Sequence, residues 1–332
     1  MTKQTIAVTG ADGFIGSHVV ETLVTSGYHV RAMVQYNSTG SWGWMEDAPP
    51  STHESVEILS GDVRDRDSVR ALLEGADMVA HLAALIAIPY SYKAPWSYLE
   101  TNAAGTLNVL EVARELGTNR VIATSTSEVY GTAQRVPMDE SHPLHAQSPY
   151  SASKIAADKF VESYHLSFGL PTVTLRPFNT YGPRQSARAV IPTVISQIAS
   201  GKREISLGAV TPTRDFMFVL DTAAAFRAVL EAPFDQVIGQ TFNAGSGNEI
   251  SIGDLANLIA ELMGVEIEIR TEEQRLRPES SEVDRLFSDS SAIGVAASWK
   301  PSHTLREGLL ETIEWFSQPR NLARYKPDQY NV

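Results

Sequence analysis

Two periodicities alternate along the first half of the chain. Thr5–Thr9 is a short apolar run that ends at a glycine. Gly13–Ser26 then carries Phe14, Ile15, Val19, Val20, Leu23 and Val24 at helical spacing and stops at Gly27. His29–Gln35 and Val56–Leu59 read as further strands, Asp65–Leu73 as a helix capped by Asp65, and Met78–Leu82 as a fourth strand. A helical stretch from Trp96 to Leu116, a strand Arg120–Ser125, a helix Tyr150–Phe168 and a strand Thr172–Pro177 follow. Strands alternating with helices imply right-handed crossovers, so the predicted fold class is α/β, a Rossmann-type doubly wound parallel sheet.

The second half is less regular. Ile191–Ser200 and Asp221–Leu230 are helical by pattern, and Thr241–Asn243 is a short strand suited to rejoin the first sheet. Ser251–Met263 reads as a helix, Ile267 and Ile269 as part of a strand, and Leu305–Phe316 as a closing amphipathic helix. This is too little for a second Rossmann unit. We expect a Rossmann-type domain over residues 1–178, with 215–245 returning to it, and a smaller C-terminal lobe over 179–332. The ligand crevice would lie between them, at the C-terminal strand ends. Tyr36–Ser55 is the longest irregular stretch, and loops of that length in compact domains are often functional.

Composition narrows the function classes. The net charge is −12, and the 27 Lys and Arg residues form no dense cluster, which argues against a nucleic-acid partner. No run approaches the roughly 18 apolar residues needed to cross a bilayer, so no membrane partner is expected. Met1-Thr2-Lys3-Gln4 leads straight into the first strand, which leaves no room for a signal peptide. The absence of cysteine excludes disulfides, thiolate zinc sites and a cysteine nucleophile, and fits a cytoplasmic location. No metal-ligand spacing occurs, so no metal is expected.

Gly10, Gly13 and Gly16 follow a strand and open a helix, with Asp12, Phe14 and Ile15 between them. In that setting the first glycine permits a tight turn, the second lets backbone approach a pyrophosphate, and the third lets helix and strand pack closely. Asp62, next to Val63 after the third strand, is placed either to accept from an adenine amino group or to serve as a turn residue. Leu82, Ala83 and Ala84 offer small side chains after strand four, for a cofactor or for the core. The acid that commonly holds the ribose diol is missing after strand two, where Gln35, Tyr36, Asn37 and Ser38 stand. No Arg follows to hold a 2′-phosphate, so NAD is expected with NADP left open.

Tyr150 and Lys154 share one face at the start of a helix. A nearby ammonium favours the phenolate, which would make Tyr150 a base near neutral pH, and Lys154 is also suited to hold the nicotinamide ribose. Ser125-Thr126, at the end of strand five, completes a Ser/Thr–Tyr–Lys set.

Thr9-Gly10-Ala11-Asp12-Gly13-Phe14-Ile15-Gly16, His81-Leu82-Ala83-Ala84, Ser125-Thr126-Ser127-Glu128-Val129-Tyr130-Gly131, Tyr150-Ser151-Ala152-Ser153-Lys154 and Arg176-Pro177-Phe178-Asn179-Thr180-Tyr181-Gly182-Pro183-Arg184 together resemble the extended short-chain dehydrogenase/reductase family. Arg214-Asp215-Phe216 and Asn243-Ala244-Gly245 extend the resemblance into the second half. The family includes nucleotide-sugar epimerases, dehydratases and decarboxylases. The resemblance implies catalysis by Thr126, Tyr150 and Lys154, and adds Tyr150, Lys154, Pro177 and Asn179 to the cofactor site.

Ser127-Glu128 bears on the subclass. A 4-epimerase needs only Thr126, Tyr150 and Lys154, whereas a 4,6-dehydratase must also take a proton from C5 and expel the C6 hydroxyl. Glu128 is the candidate for both tasks, with Ser127 relaying the proton. Many sugar dehydratases have Thr-Asp-Glu here; this chain has Thr-Ser-Glu, as GDP-mannose-type dehydratases do, and the string also resembles UDP-glucuronate decarboxylases. Tyr36-Asn37-Ser38, Ser41-Trp42-Gly43-Trp44, Ala87-Ile88-Pro89-Tyr90-Ser91-Tyr92 and Gln185-Ser186-Ala187-Arg188-Ala189-Val190-Ile191-Pro192 look most like 4,6-dehydratases acting on UDP- or GDP-linked N-acetylglucosamine in legionaminic-acid-type pathways.

That resemblance makes the expected function a nucleotide-sugar 4,6-dehydratase, with hydride moved from C4 to C6. An epimerase and a UDP-glucuronate-type decarboxylase are the alternatives. Asn179, Arg214 and Arg277 become candidates for the nucleoside diphosphate, with Arg184 and Arg188 as helpers, and Ser91, Tyr92 and Thr126 candidates for the sugar. His81 reads as a packed strand residue. Family members commonly pair through helices equivalent to Trp96–Leu116 and Tyr150–Phe168, so a homodimer is expected. A cofactor sensor without catalysis would not require Thr126, Tyr150 and Lys154 together.

Overall fold

In the computed structural model, which describes residues 4–327, 329 and 330, the alternating pattern becomes β1 (Thr5–Thr9), β2 (His29–Gln35), β3 (Val56–Gly61), β4 (Met78–His81), β5 (Arg120–Thr124) and β6 (Thr172–Pro177). After β6 come the short strands β7 (Asn179–Tyr181), β8 (Glu204–Leu207), β9 (Thr213–Arg214) and β10 (Phe216–Phe218). Then β11 (Thr241–Ala244) pairs in parallel with β6, completing a seven-stranded sheet in the order β11-β6-β5-β4-β1-β2-β3. The fold is α/β with a Rossmann-like parallel sheet.

Both faces of that sheet are covered, as a parallel sheet requires. Ile6 and Val8 of β1 pack with Val19, Val20 and Leu23 of the helix Phe14–Thr25 and with Phe226 and Val229 of the helix Val219–Glu231. Ala7, between them, faces the other way and joins Val69 and Leu72 of Arg66–Leu73, Val109 of Gly105–Leu116 and Val161 of Pro149–Phe168. The chain runs outward from β1 through β2 to β3, then returns to place β4 on the opposite side of β1. The β1/β4 boundary is therefore the switch point, where the crevice of a doubly wound sheet opens.

His81, at the end of β4, is fully buried, with its ring nitrogens 2.8 Å from Thr9 Oγ1 and 3.0 Å from Thr106 Oγ1. It is a packed strand residue. Asp65 caps Arg66–Leu73 by accepting from the Asp67 and Ser68 N–H groups.

The structure departs from the periodicity in three places. The stretch Trp96–Leu116 contains a π-helical turn over Leu99–Ala104. There Asn102 turns inward and makes paired bonds to Leu85, accepting from its N–H and donating to its carbonyl. Tyr36–Ser55 holds a 3-10 turn, Gly43–Asp47, and a short helix, Pro50–His53. The strand expected around Ile267 and Ile269 is β13 (Glu268–Thr271), which excludes Ile267 and pairs with β8; β12 (Ile250–Ser251) pairs with β9. A separate apolar cluster built on Ile191, Val194, Ile195, Leu255, Ile259, Leu309 and Phe316 supports this second half.

No helix among the described residues is long and apolar enough to cross a membrane.

Candidate active site

Helix Pro149–Phe168 begins sharply because its sequence dictates it. Ser148 and Ser151 form a reciprocal capping box, and Pro149 occupies the first turn, where its missing N–H costs nothing. Tyr150 therefore stands in the first turn with Lys154 one turn on. The Tyr150 ring packs edge-to-face on Tyr98 at 6.2 Å, with Ile88 and Leu85 completing the apolar wall. Lys154 Nζ donates to the Thr124 carbonyl at 2.6 Å. Just past β5, Thr126 caps the 3-10 turn Ser127–Tyr130, its Oγ1 accepting the Glu128 N–H at 3.2 Å. Thr126 and Glu128 both act on the Tyr150 phenol. Thr126, Ser127, Glu128, Tyr150 and Lys154 thus converge, and the last four are buried.

The spacing of Tyr150 and Lys154 predicts a phenol lowered by the ammonium. The structure shows the opposite direction. Burial dominates and pushes the Tyr150 phenol up, the Thr126 hydrogen bond opposes it, and the Glu128 charge raises it further. The same burial lowers Lys154 to about 8, against the Asp158 carboxylate, which raises it. Asp158 is itself anchored by Ser125 Oγ and by the Arg176 guanidinium, both at 2.9 Å. Arg176 in turn donates to Tyr130 Oη, which donates to Asn243.

Between about pH 8 and the ordinary lysine value of 10.5, the unfolded chain holds a proton that folded Lys154 has released. Its contribution to stability therefore rises with pH across that window and is lowest below it. We predict that the stability advantage of Lys154→Met over the wild type shrinks from pH 7.5 to 10.5. Urea midpoints across that range read it, and a pH-independent gap would contradict the assignment.

The Gly-rich loop meets the turn after β4 at the switch point. Gly10 has φ of +69°, and a Cβ there would sit 2.8 Å from the Ala83 nitrogen. At Gly16 a Cβ would overlap the Gly10 carbonyl. Gly16→Ala is accordingly expected to cost about 3 kcal/mol and to lower the urea midpoint; an unchanged midpoint would mean the loop has room to shift. The Leu82 and Ala83 N–H groups both bond Thr9 Oγ1, which fixes the Leu82–Ala84 turn. Phe14 and Ile15 pack toward the second-half cluster at the start of the helix. The cradle, which has no room for side chains at two glycines, fits a dinucleotide. The buried Asn179 Oδ1 and Thr124 Oγ1 have no protein partner, so polar atoms remain available in the same region.

Other cofactor candidates are sorted by their contacts. Asp12 Oδ2 accepts the Gln35 N–H at 3.2 Å, which brings the loop and the end of β2 together. Gln35 and Ser38 are exposed. Asn37 is not available: its amide donates to Gln35 and Ser41 carbonyls, and its Oδ1 accepts from Thr39 and Ser41. Asp62 pairs with Arg64 and accepts its N–H, a turn contact, while remaining partly exposed. Val63 is buried against Gly105, and Pro177 is buried at the end of β6 opposite Ala244.

Among the substrate candidates, Arg214 and Arg277 converge on one carboxylate, Glu282, at 3.2 and 3.4 Å. Arg214 is buried and is also a charge neighbour of Glu128, which links this pair to the Thr126–Glu128–Tyr150 cluster. Arg188 is exposed, bonds Ser186 Oγ, and acts electrostatically on Tyr98. Tyr92 Oη shares a hydrogen with Ser281 at 2.6 Å. Two expectations need correction. Ser91 has no open surface, because its hydroxyl turns back to the Ile88 carbonyl within its own short helix. Arg184 is held by Ser17 and Glu21 on the helix behind the glycine loop, so its charge is already matched there.

Three further residues organise the site. Asn102 also donates to Ser153 Oγ, tying the turn after β4 to the Tyr150–Lys154 helix. Gln147 accepts from Thr132 at 2.6 Å and donates to the Glu282 carbonyl at 2.9 Å, joining the Glu128 loop to the Arg277–Glu282 segment. Glu282 holds the two arginines. Only Asn102 carries a sequence signal, an amide inside an otherwise apolar helical repeat.

Comparison with known proteins agrees with this geometry. The family model described as GDP-mannose 4,6 dehydratase matches residues 7–312. The dTDP-D-glucose 4,6-dehydratase of Mus musculus is 31% identical over 319 residues, covering 94% of this chain and 88% of its own. Among solved structures, the UDP-N-acetylglucosamine 4-epimerase of Methanobrevibacter ruminantium, in complex with UDP-N-acetylmuramic acid, is 32% identical with a TM-score of 0.84, covering 95% of this chain and 99% of its own. The dTDP-glucose 4,6-dehydratase of Streptomyces venezuelae, solved with NAD, is 27% identical with a TM-score of 0.85, covering 98% of this chain and 99% of its own. With a glycine cradle at the switch point, a Thr–Tyr–Lys set beside it and a family match over most of its length, the chain belongs to the GDP-mannose 4,6-dehydratase-type group of the extended short-chain dehydrogenase/reductase family.

Proposed function

We propose that this protein is an NAD-dependent nucleotide-sugar 4,6-dehydratase that converts UDP- or GDP-linked N-acetylglucosamine to its 4-keto-6-deoxy derivative. The observation that carries this reading is Glu128, a buried carboxylate one turn-start beyond Thr126 and within electrostatic reach of Tyr150. Oxidation at C4 needs only Thr126, Tyr150 and Lys154; removing a proton from C5 and expelling an oxygen from C6 requires a second acid/base group, which Glu128 would supply. The division into a dinucleotide-binding part over 1–178, joined by 215–245, and a nucleotide-sugar lobe over 179–332 belongs to the same reading.

Gly10, Gly13, Phe14, Ile15 and Gly16 would hold the pyrophosphate side of NAD, Asp12, Gln35, Ser38, Asp62 and Val63 its adenosine end, and Leu82–Ala84, Lys154, Pro177 and Asn179 its nicotinamide side. Bound NAD would supply a positive charge and a hydride acceptor for C4. That charge and the Lys154 ammonium would favour the Tyr150 phenolate against the burial that pushes the phenol up; the phenolate Oη then takes the 4-hydroxyl proton, with the Thr126 hydroxyl orienting the same oxygen. The new ketone acidifies C5–H, the Glu128 carboxylate removes that proton, and Glu128 returns it, through Ser127, to the departing C6 hydroxyl; C6 would then regain the hydride taken from C4 and C5 a proton from solvent, leaving the cofactor oxidised. Arg214 and Arg277 receive the diphosphate, exchanging Glu282 for phosphate oxygens. Pairing of two copies through the helices Gly105–Leu116 and Pro149–Phe168 is part of the proposal: Leu116, Leu166 and Phe168 are exposed there.

Incubation with UDP- and GDP-N-acetylglucosamine should yield a product lighter by one water, with no net reduced cofactor. Unchanged mass with inversion at C4 would make the protein an epimerase, and loss of carbon dioxide from a uronic-acid substrate a decarboxylase.

A further inference from the structure

The end of β2 lacks the carboxylate that receives the ribose diol of NAD in a doubly wound sheet. The structure delivers a carboxylate to that place from another element. Asp12, in the loop after β1, reaches across to the Gln35 N–H at 3.2 Å, and its own carbonyl accepts the Trp44 N–H at 3.1 Å, so the loop after β2 folds back on it. Nothing cationic accompanies it from this stretch, since no Lys or Arg occurs between Ala32 and Val63. The cations near its borders are matched: Arg64 by Asp62, Arg320 and Arg324 by Asp47. Asn37, the neutral side chain otherwise suited to a phosphate, has its amide fully occupied within its own loop.

We propose that Asp12 is the residue that makes this site select NAD over NADP, doing from the glycine loop what a strand-two acid does elsewhere. Its carboxylate accepts from the ribose hydroxyls and opposes a 2′-phosphate, whose added negative charge would meet Asp12 without a compensating cation. This rests on the reading of the cradle as a dinucleotide site.

The test is binding, not turnover. Nucleotide released from the purified wild type by denaturation is identified by chromatography, and the stripped protein is titrated with NAD and with NADP by calorimetry. Asp12→Asn keeps an oxygen for the Gln35 N–H and removes the charge. NAD is expected as the released nucleotide, with NADP binding at least about 30-fold more weakly, and the gap is expected to narrow about tenfold or more in Asp12→Asn, mainly through tighter NADP binding. Release of NADP from the wild type, or an unchanged gap in the variant, would overturn the inference. Should Asp12→Asn fail to fold by circular dichroism, Asp12→Ser and the identity of the released nucleotide decide it. A folded wild type that neither carries nor binds either nucleotide would instead overturn the dinucleotide reading, and this inference with it.

Discussion

Replacing Tyr150 by Phe is expected to lower turnover by about 10³- to 10⁴-fold, the upper part of what a positioned acid/base group contributes. The change removes one oxygen and keeps the ring. The edge-to-face contact with Tyr98 and the apolar wall of Ile88 and Leu85 remain, so the fold and the dinucleotide cradle should survive. Because burial already pushes the phenol up, its removal should leave stability within about 1 kcal/mol of wild type. The measurements are steady-state kinetics, nucleotide affinity and the urea midpoint. Loss of turnover with retained binding supports Tyr150 as the C4 base; turnover within about tenfold of wild type would remove it from that role.

Replacing Glu128 by Gln has a different signature. Water loss should fall by about 10²- to 10⁴-fold, while oxidation at C4 continues, so a 4-keto sugar still carrying its C6 oxygen builds up under single-turnover conditions. Glutamine preserves shape and the backbone bond from Glu128 N to Thr126 Oγ1, which confines the effect to proton transfer. Mass spectrometry of the quenched reaction separates the two ketones by one oxygen. An epimerase would not need Glu128 for proton transfer at C5, and its turnover should stay within about tenfold.

The dinucleotide half was legible because a parallel sheet covered on both faces writes its strands as apolar runs. Ile6–Val8, Val79–Ala80 and Val121–Ile122 are all fully buried. The Tyr150–Lys154 pair was legible because helix geometry alone puts the two residues on one face. The second half was obscure for the converse reason: β9 and β12 are two residues long, too short for any period to show. The direction of the Tyr150 shift was also hidden, since it depends on Tyr98 and Ile88, which the chain brings from elsewhere. Glu282 could not be found from sequence because its meaning lies in Arg214, which folding carries to it across 68 residues. Ser91 misled in the opposite sense, as its place after β4 suggested an open hydroxyl and a single short helix turned it inward.

The most direct test of the account follows one hydrogen. With UDP- or GDP-N-acetylglucosamine deuterated at C4 and the reaction run in deuterated water, a 4,6-dehydratase that uses Tyr150 at C4 and Glu128 at C5 should give a 4-keto-6-deoxy product with the C4 deuterium at C6 and a solvent deuterium at C5. NMR of the product reads both positions. Deuterium retained at C4 in a sugar of unchanged mass would contradict the dehydratase reading and leave an epimerase in its place.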